Sequence, residues 1–217
     1  MRLRWFQRES RLSLIPKDTP LAEVRFVVLD TELTSLDART NRLLSLGAIA
    51  MNGARILIGE QFYRVVNPGV EVPEEGVLIH KLRPTDVEQG QSPKNVLQEF
   101  REFAQNSLLV GHFAAIDMKV LRKELAQSGE ELPNPAICTA RVHRWIVQQQ
   151  RYSEDQFHKL ENVDLATLAR VYGIEVSEAH HAFDDAFVTA RLWQKLLHEL
   201  EKSGIHNYGQ LLKVGGI

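Results

Sequence analysis

Two carboxylates two residues apart, Asp30 and Glu32, close an apolar run that begins at Arg25. In an extended strand such residues point to the same face. Side by side they repel each other unless a cation lies between them. Donors that are all oxygen suit a hard divalent ion, Mg²⁺ or Mn²⁺. Taken alone, Asp-x-Glu at the exit of a strand also fits solvated turn chemistry. A third acid, Asp117, ends the segment Val110-Gly-His-Phe-Ala-Ala-Ile-Asp117 and falls in the first turns of an expected helix. An acid there is favoured by the helix dipole whether or not it has a further use. The third feature is Ala179-His-His-Ala-Phe-Asp-Asp185. His181 and Asp185 are spaced i, i+4 and share a face if the helix begins early, whereas His180 then sits outside, over the helix start. An imidazole beside carboxylates can serve as a general base, since it titrates near neutrality. Spacing alone does not choose between the two histidines.

The elements that must carry these residues can be read from periodicity. Residues 25–30 are β-branched and apolar, as in a buried strand. Leu43–Met51, Asn52-Gly53 and Ala54–Val66 form two apolar runs joined by the commonest hairpin dipeptide. Ser92-Pro93 caps a helix that carries Val96, Phe100 and Phe103. A strand is expected over Leu108–Gly111 and a helix from Ala114 to Ser128, stopped by Gly129. A short strand at Ala136–Thr139 precedes a helix over Arg141–Gln149. Asp164–Tyr172 and Ala182–Lys202 are further helices, ended by Gly173 and Gly204. One strand, a hairpin, then alternating strands and helices point to an α/β layer fold with a mixed sheet covered by helices. Each acidic site then lies at a strand exit or helix start, so all can converge on one edge of the sheet. Two divalent ions held roughly 3.5–4 Å apart by such carboxylates clamp the attacking and leaving oxygens of a phosphoryl transfer. They also let an acidic protein act on an acidic polymer.

At these positions the sequence resembles the DEDDh group of 3′→5′ exonucleases, the DnaQ-like enzymes of the ribonuclease H-like superfamily. The likeness spans about residues 25–200, with three motifs in family order. It implies an α/β ribonuclease H-like mixed sheet flanked by helices, with residues 1–22 a basic arm and 23–217 the exonuclease domain. Asp30 and Glu32 match the first motif, Asp117 the second, and His180 with Asp185 the third, so the resemblance selects His180 over His181. It implies that Asp30, Glu32 and Asp185 bind one metal ion, that Asp30 also contacts a second, and that Asp117 assists through water. Leu33 and Thr34 become contacts for the terminal nucleotide, and His112 and Phe113 line the same groove, where Phe113 can stack a base or serve the core. Ile79-His80 and Thr85-Asp86-Val87 resemble the family's connecting segment. The cofactors implied are two ions, Mg²⁺ or Mn²⁺. The substrate is the 3′ end of a nucleic acid, single-stranded DNA by likeness to the branch that holds the proofreading subunit of bacterial DNA polymerase III. RNA ends are the nearest alternative. A homodimer or association with a polymerase is consistent with the family, although Gly204–Ile217 reads as a short tail without a tethering segment, which favours a stand-alone enzyme. Glu32-Leu33-Thr34-Ser35, Phe113, Ile116 and Cys138-Thr139 depart from common family residues without removing a metal ligand.

Composition narrows the class. The 217 residues suffice for one domain with a sizeable core. A net charge of −2 argues against a broad basic surface, but residues 1–20 carry five cations and two acids, a net +3, leaving −5 elsewhere. The arm could touch phosphate, although a solvated terminus is the simpler reading. One cysteine, Cys138, permits no intrachain disulfide and fits a reducing cytosol. Neither a membrane span nor a signal peptide is evident, so a cytoplasmic enzyme with no membrane partner is expected. Cys138 and Trp193 read as buried packing residues, and His143, His158 and His198 as surface residues. Two rival readings remain: a non-catalytic nucleic-acid-binding module, which has no need of four acids and a histidine, and a hydrolase of small phosphate esters.

Overall fold

A computed structural model describes residues 15–35, 37, 39–72, 81–149, 164–176 and 180–217. Its strands are β1 (Arg25–Leu33), β2 (Leu43–Asn52), β3 (Arg55–Val65), β4 (Leu108–Gly111) and β5 (Ala136–Cys138). Its helices are α1 (Pro84–Glu88), α2 (Pro93–Phe103), α3 (Ala115–Gln127), α4 (Thr139–Gln149), α5 (Leu165–Val171), α6 (Ala182–Lys202) and α7 (Tyr208–Gly215), after a short 3-10 turn at Leu21–Glu23. The strands form one sheet in the order β3-β2-β1-β4-β5. β1, β2 and β3 are antiparallel neighbours, and β4 and β5 continue the sheet parallel to β1. This is the mixed, helix-flanked sheet of the ribonuclease H-like fold.

Alternation along β1 builds two cores. Phe26 and Val28 face one side, where they join Ile49, Met51 and the α6 residues Trp193, Leu196 and Leu200. Phe26 meets Trp193 edge to face at 5.5 Å between ring centroids. Val27 and Leu29 face the other side, against Val96, Leu97 and Phe100 of α2 and Met118 and Leu121 of α3. The central strand is thus buried on both faces, as a nearly continuous apolar run requires. The Asn52-Gly53 turn joins β2 to β3, with Gly53 at φ 53°. Ser92 Oγ accepts from the Asn95 amide at 3.3 Å, capping α2 as its position before Pro93 suggests.

Three features differ from the sequence expectation. β1 runs to Leu33, so Asp30 and Glu32 lie inside the strand instead of at its exit. The segment Gly204–Ile217 is not a tail: it forms α7, buries Tyr208 and Leu211, and returns to the sheet where the Ile217 amide donates to the Ala136 carbonyl. His143 is buried, not on the surface, with Nδ1 3.1 Å from the Tyr172 hydroxyl. Thr85, Asp86 and Val87 lie on α1, where Val87 is buried. Ile79, His80, Trp5, His158 and the basic arm through residue 14 lie outside the described residues. Cys138 and Trp193 are buried.

Candidate active site

The register of the sheet explains where the acids meet. β4 pairs with β1 only over Phe26–Val28, so the later residues of β1 extend past their parallel neighbour. Asp30 and Glu32 leave this overhang on the α6 face, and Asp185 stands in the first turn of α6. One carboxylate oxygen from each of the three lies within 4.8 Å of the other two. Among the described residues this is the one such group of three possible metal ligands.

Backbone contact lets α6 come so close. Gly47 of β2 lies directly opposite Asp30 in the ladder. A Cβ placed on Gly47 would sit 2.5 Å from the Ala182 carbonyl oxygen and closer still to Ala182 C and Phe183 N. The start of α6 therefore rests on bare backbone of the sheet, beside the strand that bears Asp30 and Glu32. At the helix start His181 occupies the N-cap position, and His180 precedes it in the left-handed region at φ 70°. Its amide donates to Asp185 Oδ2 at 2.9 Å, which ties the histidine to the carboxylate.

Asp117 reaches the site from the opposite layer. It stands in the first turn of α3, nearly buried, and its Oδ1 accepts from the Thr31 hydroxyl at 2.6 Å and the Thr31 amide at 3.1 Å. That amide lies beyond the last residue of β1 paired with β4, so Asp117 takes the place of the missing ladder partner. Thr31, a mere spacer in the sequence motif, aims the fourth acid. No sequence signal marked it.

The electrostatics match a site built for a cation. Burial, reinforced by Asp117, Asp185 and Glu32, holds the Asp30 carboxyl well above its ordinary range. Burial, then the charges of Asp185 and Asp117, push Glu32 up to about 7. Asp117 is raised to about 6 by burial, against the lowering effect of its Thr31 hydrogen bonds. Asp185 is raised, mainly by burial, and its bond from the His180 amide opposes the shift. Burial and mutual repulsion oppose ionising the four acids together, and a cation held among them would favour their charged forms. An all-oxygen donor set of this size fits a divalent cation.

These residues floor a groove of about 450 Å³. Asp30, Glu32, Asp117, His180 and Asp185 line it, as do Leu33, Thr34, His112 and Phe113, so every site residue expected from sequence is brought together. Thr34 Oγ1 accepts from the Arg42 amide at 3.0 Å, which shapes the β1–β2 loop. His112 Nδ1 lies 2.9 Å from Thr139 Oγ1, and Phe113 is 36% exposed, at the lip of the groove instead of in the core. Ile116 and Leu165 also line the groove, though sequence reasoning gave neither a role. His181 is absent from the lining. It stacks on Tyr63 with ring centroids 4.7 Å apart, and its Nδ1 is 3.3 Å from Asp184 Oδ2. A second cleft of similar volume, lined by Gln98, Arg101, Pro133 and Asn134 among others, contains none of these acids.

Two carboxylates on the overhang of β1 and two in the first turns of α3 and α6, beside a histidine and an open groove, fit a hydrolytic nuclease of the ribonuclease H-like fold. The chain belongs to the exonuclease family, whose match covers residues 27–193. It is 31% identical over 209 residues to DNA polymerase III subunit epsilon of Aquifex aeolicus, covering 95% of this chain and 97% of that one. It is 28% identical to a DNA polymerase III subunit epsilon-like protein of Rhodobacter capsulatus, over 90% of this chain and 27% of the other. Identity to the PolC-type DNA polymerase III of Pediococcus pentosaceus is 27%, over 88% of this chain and 13% of that protein. This chain thus corresponds to a small part of the two longer relatives. Among solved structures, cell-death related nuclease 4 matches with a TM-score of 0.70 at 13% identity, over 85% of this chain and 66% of that one. E. coli exonuclease I in complex with a dT13 oligonucleotide matches with a TM-score of 0.69 at 16% identity, over 84% and 43%. At such identities the structural likeness speaks for the fold alone. No helix among the described residues is long and apolar enough to cross a membrane.

Proposed function

We propose that the protein is a DEDDh 3′→5′ exonuclease that releases 5′-mononucleotides from single-stranded DNA ends, using two Mg²⁺ or Mn²⁺ ions. The observation that carries this reading is the meeting of Asp30, Glu32 and Asp185 within 4.8 Å, with Asp117 and His180 on the same groove. Asp30, Glu32 and Asp185 would hold one ion, Asp30 would share the second, and Asp117 would act through water. Such ions supply positive charge at the attacking and leaving oxygens and lower the cost of bringing a phosphodiester onto an acidic floor.

The chain's own residues do the rest. His180, anchored through its amide to Asp185, takes a proton from the attacking water as that oxygen bonds to phosphorus. The bond to the 3′ oxygen of the preceding nucleotide breaks, and that oxygen leaves with the electron pair and takes a proton from solvent, giving a 5′-monophosphate and a new 3′ hydroxyl. Leu33 and Thr34 meet the terminal nucleotide, His112 shapes the groove wall, and Phe113 offers an exposed ring for stacking. In this reading residues 23–217 are the exonuclease domain and 1–22 a basic arm. A polymerase is the partner class that the names of the relatives support.

A gel time course with 5′-labelled single-stranded DNA and RNA of matched sequence tests the reading. Shortening one nucleotide at a time with Mg²⁺ or Mn²⁺, blocked by EDTA and faster on DNA, is the expected result. Faster loss of RNA would transfer the enzyme to RNA ends, and no shortening of either would overturn the exonuclease assignment.

A further inference from the structure

The floor of the groove repels the phosphates it receives, so the strand upstream of the scissile bond needs a favourable path away from it. One wall differs in charge from the rest of the molecule. Residues 33–42 and 118–124 carry Arg39, Arg42, Lys119, Arg122 and Lys123 against Asp37 and Glu124, a net +3 in a chain of −2. Part of this charge builds the wall itself. Arg42 Nε donates to the buried Glu124 carboxylate at 2.7 Å, and Lys123 Nζ donates to the Asn41 and Arg39 carbonyls at 2.8 and 3.3 Å, which staples the β1–β2 loop to α3. Arg122 turns towards the Asn134 carbonyl at 3.4 Å.

Lys119, by contrast, follows Ile116 by three residues, about one turn along the same helical face. Ile116 is 45% exposed and lines the groove, so Lys119 continues that line outward. The Lys123 bonds to the Asn41 and Arg39 carbonyls set the β1–β2 loop beside α3, and the Asp37 carboxyl on it is held low first by Arg39 and then by the charges of Lys123 and Lys119. Arg39 is exposed on the same loop, with its side chain 89% accessible and only a long, exposed pair to Asp37 at 3.4 Å for a phosphate to displace. The facing wall supplies Leu165, His180 and Asp185, with Asp184 exposed next to them.

We propose that the upstream part of a bound single strand leaves the groove over Phe113 and Ile116 and runs along a basic ridge of Arg39 and Lys119, which grips its phosphates, on a wall that Lys123 holds in place. The direction of the strand rests on the exonuclease reading of the groove, while the ridge's affinity for phosphate can be measured without turnover. Each phosphate contact to a single strand steepens the dependence of log affinity on log salt by about 0.7.

The test is the Arg39→Glu/Lys119→Glu double variant, with Lys119→Gln as a milder single change. Binding of fluorescent dT15 is followed by anisotropy in Ca²⁺ across a salt series, alongside hydrolysis of oligonucleotides and of the p-nitrophenyl ester of thymidine 5′-monophosphate, which fills only the catalytic end. The double variant should bind dT15 at least about tenfold more weakly at low salt, with a slope shallower by about 1.4. Lys119→Gln should lose about half that slope. The ratio of oligonucleotide to ester kcat/KM should fall with the affinity. Unchanged affinity and slope, with wild-type turnover intact, would overturn the ridge and leave the exonuclease standing. A ridge effect on binding in a wild-type protein that cleaves nothing would keep the ridge and remove the exonuclease.

Discussion

Replacing Gly47 with alanine is the most exacting test of how the site is assembled. The new methyl would lie 2.5 Å from the Ala182 carbonyl oxygen and nearer still to two further backbone atoms of the α6 start. No side chain can swing away to relieve this, because all three are main-chain atoms. Ordinary contact needs roughly 3.4–4 Å, so either β2 or the first turn of α6 must retreat by about 1 Å. Overpacking of this kind costs about 1–3 kcal/mol. For a chain of this size that lowers Tm by roughly 2–4 °C per kcal/mol, and the protein stays folded at assay temperature. Function should suffer far more than stability. Asp185 and His180 ride on the displaced turn, whereas Asp30 and Glu32 stay on β1, and carboxylate bonds to Mg²⁺ tolerate only a few tenths of an ångström around about 2.1 Å. Misplacement by 1 Å can cost about 100-fold in rate. Gly47→Ala should therefore bind Mn²⁺ at least about tenfold more weakly by calorimetric titration and lose about 100-fold in kcat/KM, with circular dichroism unchanged at the assay temperature. Part of the activity should return at high Mn²⁺, an effect that simple destabilisation would not give. A variant with wild-type metal affinity and rate would show that α6 is not positioned through this glycine.

Other expectations can be checked with the same preparations. His180→Ala should lower kcat by about 100-fold or more while leaving Mn²⁺ affinity within a few-fold, whereas His181→Ala, which stands on Tyr63 outside the groove, should retain most activity; the reverse pattern would mean that the wrong histidine is assigned as base. Glu32 gives up its proton near its ordinary 4.5 when unfolded but near 7 when folded, so the folded state holds more protons between these values and stability falls as pH rises through them. Asp30 and Asp117 shift in the same direction, while Asp37, Asp86 and Asp164, which are held low, act only at more acidic pH. In EDTA, Tm should rise as pH is lowered from about 7.5 to about 5.5, and added Mg²⁺ should raise Tm more at the higher pH; a flat EDTA profile would contradict the charge crowding. Arg42→Ala leaves Glu124, with a side chain only 1% exposed, without its cation, and should cost about 3–5 kcal/mol, or a Tm drop on the order of 10 °C. Adding Glu124→Leu should recover most of that loss, and failure to do so would place the damage in the loop instead of the unpaired charge.

The parts of this molecule that could be read from sequence are those whose chemistry is local. Asn52-Gly53, Ser92-Pro93 and the stop glycines 129, 173 and 204 each determine a turn or an end through their own backbone preferences, and the elements they bound lie within a residue or two of the expected limits, whereas β1 runs three residues past its expected end. Each of the four acids had an ordinary structural use when taken singly, so they and His180 were singled out by their order along the chain, which resembles one family. Missed elements were short. α7 carries a recognisable signal, Asn207 and Gln210 in a reciprocal capping box. Four glycines within Gly204–Ile217, two of them inside the helix, make the segment read as an end of chain instead of a packed helix. His143 was assigned to the surface because its use depends on Tyr172, 29 residues away, and no period along α4 reveals such a partner.

Thr31 and Gly47 belong to a different kind of omission. Gly47 lies within a strand expected from sequence and Thr31 just past the expected end of another, and neither has a side chain that suggests a task. Thr31 matters because β4 ends early and leaves an amide and a hydroxyl facing Asp117. Gly47 matters because of what it lacks, since only its bare Cα leaves room for the α6 backbone beside Asp30. A sequence names the groups that react, because reactivity resides in the side chain. The close approach that makes them react together is a relation between elements far apart in the chain. It appears in sequence only as a small residue within an apolar run, where many small residues occur for weaker reasons. The tolerance of a metal site to displacement is narrower than that of a hydrophobic core, so residues of this second kind control activity more sharply than they control folding. Substituting them is therefore the way to separate the two.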